Sequence, residues 1–99
     1  MASYTELYDL NNNSGLQNKL VIAVVVAADA IRTESAATPL HAERLAWAKE
    51  AIRSPEEMAK RCLWAALAQN KALTTAQIVG ASDAGLQTAV DAAVALLIA

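Results

Sequence analysis

Helix-start signals recur along these 99 residues often enough to divide nearly the whole chain into helices. Ser3-Tyr4-Thr5-Glu6 has the form of a capping box. In that device the Ser hydroxyl accepts from the Glu amide, and the Glu side chain reaches back to the Ser amide. It predicts a short helix with Tyr4, Leu7 and Tyr8 on one side, broken by Asn11-Asn12-Asn13. Ser14-Gly15-Leu16-Gln17 repeats the form and opens a long helix to about Glu34. Thr38-Pro39 and Ser54-Pro55-Glu56-Glu57 each place a cap residue before Pro at the first helical position, where the missing amide costs nothing. They predict helices over 39–53 and 55–70, with Glu57 completing a box and the junction at Ser54 so short that the two must turn sharply or form an antiparallel hairpin. Thr74-Thr75-Ala76-Gln77 opens a short helix that Gly80 closes, and Ser82-Asp83 caps a last one carrying Val90, Val94, Leu97 and Ile98.

Only Val21-Ile22-Ala23-Val24-Val25-Val26 contradicts a helical reading, because branched residues favour strands. The cap before it, the alanine-rich continuation and the lack of any turn residue for some twenty positions decide for helix. Leu16, Leu20, Val24, Ala27 and Ile31 recur at spacings of three and four, and Val21, Val25 and Ala28 widen that stripe. So apolar a helix belongs at the centre, contacted on several sides. About a quarter of the residues are Ala, the best helix former, which also lets helix axes approach closely. The expected architecture is all-α: a single domain over 1–99, a compact bundle of four main helices plus short ones.

Chemistry finds little to stand on. His41 and Cys62 are single, which rules out a metal site of the usual ligand count within one chain. His41 falls in register with Leu45, Ala48 and Ile52, and Cys62 with Met58 and Ala65, so both are expected on core-facing sides. The glycines form no phosphate-cradling loop, and the Glu56-Glu57 pair is explained by the helix amino end it stabilises. No enzyme, cofactor or small-molecule substrate is expected.

The net charge of −2 and pI of about 5.2 give no general attraction to nucleic acid or to an anionic membrane. Arg44, Lys49, Arg53, Lys60, Arg61 and Lys71 do cluster, but Glu43, Glu50, Glu56 and Glu57 are interleaved with them. That is the pattern of a solvated helix face. The lone cysteine suits a reducing compartment. Residues 20–28 form an apolar run followed by Ala28-Asp29-Ala30, but the stretch before it is acidic and lacks the basic start of a leader peptide. Nine apolar residues are too few to span a bilayer. The expectation is a soluble, cytoplasmic protein without a targeting signal.

Charged residues make up only 18% of the chain against a hydrophobic fraction of 56%, so apolar surface is left over in a monomer. Trp64 lies on the outer side of its helix with Glu57, Lys60 and Arg61, opposite Met58, Cys62, Ala65 and Ala66. Trp47 sits off the His41 stripe, beside Leu40, Arg44 and Ala51. An aromatic flanked by arginine on an outer face is the composition of an interface anchor, although each Trp could instead pack under another helix of the same chain. Leu96 and Leu97 are consecutive and cannot both face the core. The candidate interface residues are therefore Trp47, Arg44, Arg61, Trp64, Leu96 and Leu97.

The helix at residues 4–10, the long apolar helix at 16–34, the segment Leu45-Ala46-Trp47-Ala48-Lys49-Glu50-Ala51 and the tail at 74–99 together resemble small helical virion proteins of tailed bacteriophages. The likeness is to the head–tail connector or neck type. It implies a ring of subunits between portal and tail, with copies of this chain and neighbouring structural proteins as partners and no catalytic residue. The chain departs from many connectors in lacking a long arm or loop. Two other classes are weighed against this one. A small helical regulatory or inhibitor protein bound to a single host target would use the same outer tryptophans. A nucleic-acid module would use Arg44, Arg53, Lys60 and Arg61, against the sign of the net charge.

Overall fold

A computed structural model describes residues 4–69 and 74–98. Among the described residues 84% are helical and none is in a strand. Helix α1 spans Tyr4–Asn11, α2 Ser14–Thr33, α3 His41–Arg53, α4 Pro55–Trp64, α5 Thr75–Val79 and α6 Asp83–Ile98. A turn of π-helix, Ala65–Gln69, continues α4. Four of these helices have ten residues or more, as the sequence predicts. The box at Ser3 and the end of the predicted fourth helix at residue 70 lie outside the described residues, as does Lys71.

Helix α2 is the centre, packed by α1, α3, α4 and α6. All five members of its predicted stripe, Leu16, Leu20, Val24, Ala27 and Ile31, are buried, together with Ala23 and Ala28. Long apolar side chains every third or fourth position on a helix can reach a common core, and that is what overrides the strand preference of the valines. At 20 residues, with a mean hydropathy of 1.4 over its apolar window, α2 is long and apolar enough to cross a membrane by length and composition. The nine-residue count in the sequence understated this. In this fold the helix instead supplies seven buried side chains to the core.

The core contains no buried polar or charged residue among those described. Alanine fills much of it: Ala28 of α2, Ala48 and Ala51 of α3 and Ala65 of the π turn are fully enclosed. Leu67, Ile78, Leu86, Val90 and Val94 close the other side. The π turn leaves Ala65, Ala66 and Leu67 buried in succession, which an ordinary helical turn at its edge would not do.

Several caps form as read. Thr74 Oγ1 accepts from Gln77 N (3.2 Å) while Gln77 Oε1 accepts from Thr74 N (2.8 Å). Ser82 Oγ accepts from Gly85 N at 3.1 Å. Pro55 opens α4 at its first position after Ser54, but the Ser54 side chain makes no cap bond. Two starts move. The cap of α2 is Asn13, not Ser14: its Oδ1 accepts from Leu16 N at 3.1 Å, and an Asn one residue earlier does the same work as a Ser. Helix α3 begins at His41, not Pro39, because Leu40 takes a left-handed conformation (φ 59°, ψ 27°) that no right-handed helix can run through. Such a conformation costs a non-glycine residue about 1–2 kcal/mol.

Cys62 lies on the core side of α4, only 1% exposed. Burial pushes its thiol up to about 12, and the Asp91 carboxylate adds to the effect. Since the thiolate is the reactive form, a disulfide reagent at pH 8 is expected to leave Cys62 unmodified in the folded protein and to titrate it once denaturant unfolds the chain. Rapid labelling without denaturant would show that α4 opens locally.

Candidate interaction surfaces

The six residues singled out in the sequence divide evenly. Trp64 remains 38% exposed near the end of α4, and Leu96 is 40% exposed on α6. Arg61, one turn before Trp64's neighbours, holds only a loose contact with Glu57 (Nε to Oε1 3.8 Å), with more than half of each side chain in solvent. These three lie on outer faces.

Trp47, Arg44 and Leu97 do not. Trp47 is buried at 8% exposure, so its placement on an outer face is corrected. The buried face of α3 is Trp47, Ala48 and Ala51, while Ile52 of the expected core stripe is 43% exposed. At about 100° per residue the core face is turned by roughly 80° from the predicted one. The reason is the alanines: Ala42, Ala46, Ala48 and Ala51 lie on several sides of α3, so apolar spacing alone does not define its core face, and burial of the large indole decides it. That burial has a cost, because the Trp47 Nε1 donor is enclosed without a hydrogen-bond partner. Leu97 is half-buried and packed against the core, which leaves Leu96 as the member of the pair turned outward.

Arg44 is committed within the chain. Its Nε donates to Glu34 Oε1 (3.0 Å) and Oε2 (3.1 Å), and its Nη2 to Oε2 (3.0 Å). His41 Nδ1 stands 3.1 Å from the same Glu34 Oε1, so His41 is at the mouth of the α2–α3 loop rather than on the core stripe. The Arg44 fork holds the Glu34 carboxyl below its ordinary value, His41 adding to this against partial desolvation. Glu34 in turn raises the Arg44 guanidinium. The set fastens the last turn of α2 to the first of α3 across the strained Leu40. No helical periodicity links a residue on one side of a loop to one on the other, so sequence reading could not find it.

A surface that sequence reasoning missed lies on α2 itself. Ile22 is 64% exposed and Val26 is 49% exposed, one turn apart on the side away from the core stripe. They line a cleft of about 310 Å³ with Lys19, Asp83, Leu86 and Gln87 of the neighbouring α6. Gln87 Nε2 bridges the two helices by donating to the Ala23 carbonyl at 3.0 Å. Val79, 56% exposed, continues the apolar surface beside Lys19. The signal was present as the apolar residues left over once the core stripe is removed from the six-residue run.

Other clefts offer little chemistry. One of about 240 Å³ between α1, α2 and α4 is lined by Asn11, Gln17, Asn18, Glu56 and Lys60 with three apolar residues. It is smaller than the roughly 300–1,000 Å³ of ordinary ligand pockets. No three His, Cys, Asp or Glu among the described residues are placed to hold a metal ion. No known protein family, curated protein or solved structure matches the chain.

Proposed function

We propose that this chain is a structural subunit acting by association with copies of itself and with neighbouring structural proteins. The assembly proposed is the head–tail connector or neck of a tailed-bacteriophage virion, and that finer reading rests on the resemblance of its helices. The observation that carries the structural reading is the exposure of large apolar side chains on rigid helices. Trp64 beside Arg61 on α4, Leu96 on α6, and Ile22 and Val26 on α2 are all partly exposed in the lone chain, from 38% for Trp64 to 64% for Ile22. Apolar patches on a small body mark surfaces that other protein covers. Aromatic and arginine side chains on an outer face are enriched at such contacts. No catalysis, cofactor or nucleic acid enters this reading. Around a closed ring, contacts that are weak singly become a stable assembly.

Light scattering behind size exclusion, across protein concentration and at two salt levels, tests it. A discrete oligomer, or growth with concentration that salt does not abolish, is the expected result. A clean monomer at high concentration, with or without the neighbouring virion proteins added, refutes it. Trp64→Ala is expected to leave helicity and melting nearly unchanged while lowering the associated mass. If the substitution unfolds the monomer instead, Trp64 belongs to the core.

A further inference from the structure

The outer side of α2 has a register that its core side does not need. Gly15, Lys19, Ile22, Val26, Asp29 and Thr33 follow one another at spacings of four, three, four, three and four, and every one of them is exposed. That is the seven-residue repeat of a helix seam that packs against another helix. The seam is apolar only at its middle, at Ile22 and Val26, and is flanked by a cation on one side and an anion on the other. Lys19 makes no ion pair among the described residues. Asp29 has only a loose contact with Arg32, at 3.6 Å with both side chains more than half exposed. Neither charge serves the dipole of its own helix, which favours the reverse polarity.

These facts fit one occupant. We propose that the outer face of α2 is a two-fold contact, with α2 of a second copy of this chain lying antiparallel across it at the level of Val24. In that pairing Ile22 meets the partner's Val26, and Val26 the partner's Ile22. Lys19 then faces the partner's Asp29, and Asp29 the partner's Lys19, while small Gly15 faces Thr33. A seam of this kind is complementary to itself when reversed, as a two-fold contact requires. A parallel copy would set Lys19 against Lys19 and Asp29 against Asp29. The cleft beside Leu86 and Gln87 gives the incoming apolar side chains somewhere to sit. This contact rests on the reading of the chain as self-associating, but it uses a face that Trp64 and Leu96 do not.

With two large apolar residues per copy the contact is small, and a dissociation constant of about 10–100 µM is expected. Sedimentation equilibrium of the full chain from about 10 µM to about 1 mM reads it. Ile22→Lys is expected to weaken pairing by about tenfold or more. Lys19→Asp sets like charges together twice per dimer and should weaken it similarly, and Lys19→Asp combined with Asp29→Lys should restore it. All three positions are exposed, and unchanged circular dichroism confirms that the monomer still folds. Failure of the double exchange to restore pairing overturns the antiparallel register, as does insensitivity to Ile22→Lys. A wild-type chain that stays monomeric at 1 mM, yet binds neutral phosphatidylcholine vesicles in a manner lost in Ile22→Lys, assigns the face to lipid and overturns the proposal. If Trp64→Ala changes the mass of the assembly while the α2 variants do not, the structural-subunit reading stands and this contact falls.

Discussion

Trp47→Ala is expected to destabilise the folded chain by about 3–5 kcal/mol, the range for emptying a buried aromatic site. For a domain whose whole stability is about 5–15 kcal/mol, that approaches global unfolding. The reason lies in what surrounds the indole. Trp47 is 8% exposed on an α3 face otherwise made of Ala48 and Ala51, so its truncation removes the one large side chain that this face buries. Trp47→Phe separates the two parts of the effect. It keeps most of the apolar volume and removes the enclosed Nε1 donor, which has no acceptor and whose burial costs about 1–3 kcal/mol. The phenylalanine variant is therefore expected to melt close to wild type. Thermal unfolding of the three proteins decides the matter. An alanine variant as stable as wild type would mean that Trp47 lies on the surface after all.

The second effect is a pH dependence centred on Glu34. The Arg44 fork lowers its folded-state value beneath the ordinary 4.5 of an unfolded chain. A depressed carboxyl contributes stability that is fully present above the unfolded value and disappears as pH falls through the folded one. Glu34→Gln should accordingly melt below wild type at neutral pH, and the gap should narrow as the solution is acidified from about 4.5 downward, closing once both proteins carry a neutral side chain there. Melting curves of the pair between pH 7 and pH 2.5 read the difference, and subtraction removes the other carboxylates. A gap that persists unchanged at low pH would show that the charge of Glu34 is not what fastens α2 to α3.

Where the sequence could be read, local rules and long-range packing agreed. The Thr74 box, the Ser82 cap, Pro55 at the head of α4 and the Leu16–Ile31 spacing of α2 are settled by a few adjacent residues, and each is found in place. Asn13 in place of Ser14 is a contest between two good caps, which one residue of phase decides. Beyond that the sequence was silent. The rotation of α3 depends on which side of an alanine-rich helix meets a space, and that space is made by another helix. The Glu34–Arg44 fork depends on how a loop folds back, and Pro39 pointed to a helix start that Leu40 prevents. Of the candidate surface residues, Trp64 and Arg61 were placed outward by simple helical geometry, which for Leu96 and Leu97 said only that both cannot face the core. Trp47 was misplaced by the same geometry, because volume rather than periodicity chose its side.

The enclosed alanines carry one more consequence. Ala28 on α2 and Ala48 and Ala51 on α3 stand at 0% exposure, on two helices that pack together. Such positions have only a methyl group to lose by truncation and no room for growth. A methylene added at any of the three must push two helix axes apart, and forcing extra volume into a packed core costs about 1–3 kcal/mol. The tolerance of this fold to sequence drift is thus one-sided. Its large residues can shrink and leave holes, whereas these three positions are held at alanine by the packing around them. At these three points the room left between neighbouring helices is the size of a methyl group.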